Sequence, residues 1–183
     1  YTYDPHNPVP SLGGAICAVV GQKSGVFEQS EIEQRSDVLI YTSKPLNNDL
    51  EITGPLKMVL YASTSAVDTD FTTTLTIVDS EGKSNIVSFG VCRLRHRENN
   101  SGLVIPGEVQ KVEIELAPTS YLIKSGNRLR IQVTSSSFQT IDPNPNTGKS
   151  LLTDPQNEII LANQIVYHNE KYPSHILLPV IPR

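Results

Sequence analysis

The sequence predicts an all-β fold: a mainly antiparallel β-sandwich of jelly-roll, galactose-binding-domain-like type. Three observations carry that reading. Apolar residues alternate with polar ones at the period of a pleated strand in several separate runs. Clusters of Gly, Pro, Asn, Asp and Ser punctuate those runs. No stretch sustains the stripe of an amphipathic helix. Composition agrees, because hydrophobic residues are 38% and charged residues only 19%. The balance is largely Ser, Thr, Asn and Pro, which suit strands and turns better than helices.

The opening, Tyr1 to Gly14 (YTYDPHNPVPSLGG), has no periodicity and reads as an extended connector over a surface. Ser36 to Thr42 is a short apolar strand run. Leu56, Met58, Leu60 and Ala62 alternate with Lys57, Val59, Tyr61 and Ser63. Phe71, Thr73, Leu75 and Ile77 repeat the pattern, and Asp79-Ser80-Glu81-Gly82-Lys83 supplies hairpin chemistry before Asn85 to Leu94. Ile105-Pro106-Gly107-Glu108 breaks the chain. Val112, Ile114 and Leu116 then oppose Lys111, Glu113 and Glu115, as in a half-buried antiparallel strand. After the turn Lys124 to Asn127, Leu129, Ile131 and Val133 alternate with Arg128, Arg130 and Gln132. Asp142 to Gly148 (DPNPNTG) is a long loop, and Ile159 to Tyr167 and Ile176 to Ile181 close the fold. The expected core is Leu60, Leu75, Ile77, Val112, Ile114, Leu116, Leu129, Ile131 and Val133. Together these place 183 residues in one domain, 1–183, with 1–14 as its connector.

Charge and composition exclude some partners. A net charge of −4 offers no basic footprint for phosphates, so nucleic acid is not expected. No apolar run approaches the roughly 20 residues that cross a bilayer, so no membrane partner is expected either. The start shows no charged segment followed by an apolar one, as a signal peptide would. Cys17 and Cys92 sit in apolar stretches and read as buried free thiols, which leans toward a reducing, cytoplasmic setting. Asn99 to Ser101 forms a lone sequon.

The residues that could carry chemistry do not assemble into a known device. Gly21-Gln22-Lys23-Ser24-Gly25 puts its serine one place too late for a nucleophile elbow, and no helix follows, so it reads as a turn. His6, His96, His168 and His175 have no nearby nucleophile and carboxylate pattern, and read as surface or structural histidines. Gly148-Lys149-Ser150 lacks the upstream glycine of a phosphate loop, where Pro143 stands. Asp68-Thr69-Asp70 could offer oxygens to a hard cation, but no calcium-loop pattern continues from it. Capping of backbone N–H groups is the preferred reading, with cation binding as its alternative. Arg93, Arg95 and Arg97 alternate as though on one strand face, a solvated or interface charge stripe with Asp or Glu partners. No catalytic, cofactor-binding or metal-binding residue is assigned, and no cofactor is expected.

Several segments, in order, are similar to a known family. They are the opening YTYDPHNPVPSLGG, RSDVLIYTSKPLNNDLEITGPLKMVLYASTSAVDTDF, PGEVQKVEIELAPTSYLIKSGNRLRIQVTSSSF, DPNPNTG and IVYHNEKYPSHILLPVIPR. The chain resembles the C-terminal domain of the X-Pro dipeptidyl-peptidase and cocaine-esterase-like serine hydrolases, a group that includes α-amino acid ester hydrolases. Tyr172 departs from the histidine the family often carries there. The resemblance implies a preceding α/β-hydrolase domain and helical cap, absent from this chain, that hold the Ser-Asp-His triad. It implies an accessory jelly roll that packs on both and supplies no triad member. On this reading the chain alone is inactive, and its partners are the hydrolase and cap domains of its parent.

A stand-alone module binding carbohydrate or another ligand is the alternative. The absence of Trp counts against it, since sandwich lectin sites usually present an aromatic platform. A docked domain should expose its docking patch once separated, and could then form a homo-oligomer through it. Tyr1, Tyr3, Val9 and Leu12 are the first candidates for that patch, and Phe138 and Ile141 the second. Cover for the domain's own end is the competing reading.

Overall fold

The computed structural model describes residues 1–15, 24–97, 101–149 and 158–182. Its strands are β1 (Thr2–Tyr3), β2 (Leu39–Thr42), β3 (Leu50–Thr64), β4 (Asp70–Val78), β5 (Ser84–Arg93) and β6 (Gln110–Ile123). They continue with β7 (Arg128–Thr134), β8 (Ala162–Asn169), β9 (Tyr172–Pro173), β10 (His175–Leu177) and β11 (Val180–Ile181). One short helix, α1 (Ser30–Glu33), and a 3₁₀ turn at Leu94–His96 complete the described elements.

The pairing runs β1-β8-β3-β6-β5-β4-β7-β2, and every strand pair is antiparallel. The path folds back on itself where β5 and β6 meet at Gly90↔Leu116. A Cβ on Gly90 would lie 2.3 Å from the Glu115 carbonyl oxygen, so only glycine admits this approach. One half, β8-β3-β6, therefore faces the other, β5-β4-β7-β2, as a β-sandwich.

The alternating residues fill the space between the halves. Leu56, Leu60, Leu75, Val112, Ile114 and Val133 are buried there together with Ile52, Phe71 and Ile123. Of the nine core residues expected from periodicity, eight are buried and Leu129 is half-buried at the margin. Leu129 is the second residue of β7, just after the exposed Arg128 that opens the strand, which explains its partial cover. The outer face of β4 carries Thr72, Thr74 and Thr76, all buried. Its cover is the connector, α1 and the turn before β2, whose Val9, Ile32 and Val38 form a second apolar cluster. Glu33 locks that cover, accepting from Ser84 Oγ and Gln132 Nε2 and pairing with Arg130.

The structure shortens three expected strands. The run from Ser36 becomes strand only at Leu39, because Asp37 is taken by Arg35 and the Val38 N–H closes a turn on the Arg35 carbonyl. The run from Ile159 starts at Ala162, since the Ile160 N–H and carbonyl bond Pro145 and Asn146 instead. The closing run splits at Leu178-Pro179, where proline has no N–H to give; the Pro179 carbonyl accepts from Thr53. The connector, expected to lack regular structure, contributes β1, which pairs with β8 through Thr2↔Asn163 and Tyr3↔Ala162.

Candidate functional site

At one end of the sandwich, Asp68 and Asp70 are fully buried and face two arginines. Arg93 grips Asp70 through Nε at 2.8 Å and Nη2 at 2.9 Å, a bidentate pair. Arg95 Nε lies 2.8 Å from Asp68 Oδ2, and the Arg95 backbone N–H donates to Asp68 Oδ1 at 3.0 Å. Asn144 Nδ2 bridges both carboxylates, at 3.2 Å from Asp68 and 2.8 Å from Asp70. Two carboxylates against two guanidiniums make the cluster neutral, which is how buried charge is tolerated. The Asp70 hydrogen bond raises the Arg93 pKa further above its ordinary value. Nearby, burial foremost and then the Asp70 charge push the Tyr3 phenol pKa well up, so it stays protonated.

This lattice holds loops. Arg95 Nη1 and Nη2 donate to the Gly148 and Lys149 carbonyls, which ties down the DPNPNTG loop. Asn146 of that loop bonds the Ile160 carbonyl. Arg97 is buried and donates from Nη1 to the Leu94 and Gly102 carbonyls, pinning the segment before β6. The expected arginine stripe is thereby corrected. The strand ends at Arg93 and the 3₁₀ turn reorients Arg95; Arg93 and Arg95 do take Asp partners, but with both half-buried and Arg97 buried the three form no solvated strand face. Asp68 does cap a backbone N–H, as its loop position suggests, and its other oxygen is spent on Arg95 and Asn144.

The remaining candidates lie apart. His6, His96, His168 and His175 are all exposed. His168 meets the Tyr41 ring edge-on at 5.8 Å, and His175 Nδ1 donates to the Pro173 carbonyl at 2.6 Å. Ser24 is described, but residues 21–23 of the elbow-like turn lie outside the described residues, as do Cys17, Asn99 of the sequon and Ser150. Cys92 is half-buried rather than buried, its Sγ 3.6 Å from the Arg93 carbonyl oxygen. Among the described residues no three of His, Cys, Asp and Glu converge as metal ligands, and no helix is long and apolar enough to cross a membrane. Tyr61, Tyr167 and Tyr172 do gather on the outer face of the β8-β3-β6 half, with ring centroids 5.7 and 5.4 Å apart. Each is half-buried and the rings lie against one another, so they present no flat platform of the kind a sugar stacks on.

The proposed patch on the connector is also corrected. Tyr3 and Val9 are buried within this chain, and Tyr1 and Leu12 are half-buried. Tyr1 Oη bonds Ser135 Oγ at 2.9 Å, and the Val9 N–H donates to Ser136 Oγ, so the connector clasps the two halves of the sandwich. Of the second set, Ile141 is half-buried and Phe138 stays 40% exposed. For the connector the competing reading is the one borne out: its apolar residues cover the domain's own sandwich.

The fold alone assigns no function, and its most deeply buried carboxylates, Asp68 and Asp70, are spent on ion pairs. The comparisons with known proteins identify the family. Residues 1–177 match the family described as the X-Pro dipeptidyl-peptidase C-terminal non-catalytic domain, and the chain belongs to it. It is 39% identical to cocaine esterase of Rhodococcus sp. (strain MB1 Bresler) across the whole chain and 32% of that protein. Two solved structures superpose with a TM-score of 0.89 at 28% identity. One is an aminopeptidase from a marine sediment archaeon, Thaumarchaeota archaeon, matched over 100% of this chain and 33% of that one. The other is an α-amino acid ester hydrolase, matched over 99% and 32%. The chain thus spans about a third of the length of these relatives.

Proposed function

We propose that residues 1–183 are the accessory domain of a longer serine hydrolase acting on acyl esters or X-Pro peptides. A preceding α/β-hydrolase unit and cap carry the nucleophile, base and oxyanion donors, and this domain packs against them as a rigid wall. One observation carries the reading: the whole chain matches a domain family described as non-catalytic, yet covers only a third of relatives that are an esterase, an ester hydrolase and an aminopeptidase. The buried Asp68–Arg95 and Asp70–Arg93 pairs fit it, because they spend the most deeply buried carboxylates on structure rather than leaving them free for proton transfer. Labelling the parent chain with a fluorophosphonate tests the proposal. The modified serine is expected outside these 183 residues; modification of a serine within them would place the catalysis here and overturn it.

A further inference from the structure

The two outer faces of the sandwich are not treated alike. Connector and α1 cover the threonine face of β4, while the β8-β3-β6 half has no such layer among the described residues. At the end of that half, beside the Asp68–Arg95 lattice, five apolar side chains stand out: Leu103, Ile105, Ile160, Leu161 and Ile165, each 49% to 63% exposed. Hydrogen bonds place them together. The Val104 N–H bonds the Val67 carbonyl and the Gly107 N–H the Thr64 carbonyl, which sets Leu103 and Ile105 against the end of β3 and the residues just beyond it. Ile165 pairs with Ser63 on the same strand end, and the Asn163 carbonyl accepts from Ser65 just before it.

The backbone that carries two of them is anchored. Arg97 fixes the Gly102 carbonyl next to Leu103, and Asn146, on the loop clamped by Arg95, fixes the Ile160 carbonyl. Exposed apolar residues on a rigid scaffold lose little entropy when covered, the condition that favours binding. The backbone indicates what covers them. The Tyr1 N-terminal nitrogen donates to the Gln164 carbonyl, and the Gln164 N–H returns to the Tyr1 carbonyl. Polypeptide joined ahead of Tyr1 therefore leaves the sheet one residue from Ile165.

We propose that this apolar loop end is the surface that docks on the catalytic part of the parent chain; the inference rests on the accessory-domain reading above. The opposite end of β3 also exposes apolar groups, Leu177, Val180 and Ile181. Their strands pair with Ile52 and Met58, toward the far end of β3 from Thr64 and the connector. They serve as the internal control.

Carbene footprinting of the 183-residue chain and of the parent chain separates the outcomes. Leu103, Ile105, Leu161 and Ile165 are expected to label readily in the short chain and severalfold less in the parent, with Leu177, Val180 and Ile181 labelling equally in both. Protection at the far end instead overturns the surface and leaves the accessory reading intact. Equal labelling everywhere overturns both. Protection that grows with the concentration of the short chain alone assigns the surface to a second copy and overturns the occupant. In the parent, Ile105→Glu is expected to split one thermal transition into two, whereas Val180→Glu is not; the reverse result contradicts the proposal.

Discussion

Asp68 illustrates how a residue can be read from sequence and still be half misread. The Asp-x-Asp pattern and the loop position point to a cap, and the Arg95 N–H is capped. Acidic partners for the arginines were legible, but their burial was not, because alternation of Arg93, Arg95 and Arg97 suggests a strand that the 3₁₀ turn at Leu94–His96 ends. Tertiary closure of the 142–149 loop, invisible to local pattern, supplies Asn144. Asp68→Ala leaves Arg95 with a side chain only 17% exposed and no counter-ion there, so it should cost about 3–5 kcal/mol in urea unfolding. Glu81→Ala removes a partner of Lys83 in a pair whose side chains are 62% and 71% exposed, and should cost under about 1 kcal/mol. Equal losses would mean the lattice is not a buried unit. Gly90→Ala forces backbone apart at the corner and should cost about 1–3 kcal/mol.

At the scale of elements, strand interiors were legible and strand ends were not. Val112, Ile114 and Leu116 announce β6 by alternation alone, because one face must be dry and the other wet. Ends depend on which group wins a particular N–H or carbonyl, as Asp37, Asn146 and Pro179 show. Ile114→Ala, at a fully buried position, should therefore cost about 2–5 kcal/mol, and Leu129→Ala at the strand margin distinctly less. The wet face of β6 has its own signature. Lys111 and Lys57 hydrogen-bond Glu113 and hold its carboxyl pKa down at about 2. A lowered folded value means the stabilisation is complete above the unfolded value near 4.5 and is lost as pH falls toward 2. Because the site is at the surface, the effect should stay below about 1 kcal/mol and shrink with salt. The stability difference between wild type and Glu113→Gln should be level above pH 4.5 and close below it; a difference indifferent to pH contradicts this account.

For the whole molecule, the resemblance in ordered segments was legible along the entire chain, and the family match over residues 1–177 agrees with it. The docking surface was not legible. Tyr3 and Val9 look unclaimed in a segment without periodicity, yet the fold buries them. Leu161 and Ile165 look like ordinary strand residues, yet the fold leaves them exposed. Which apolar residues end up wet is decided by the layer that covers each sheet, and that is a property of the assembled sandwich. The central claim is that this sandwich serves a hydrolase without performing hydrolysis, and a direct assay of the 183-residue chain tests it. With p-nitrophenyl esters and an X-Pro anilide, turnover is expected to match buffer. Turnover clearly above buffer, abolished by a serine-directed inhibitor, would contradict the account.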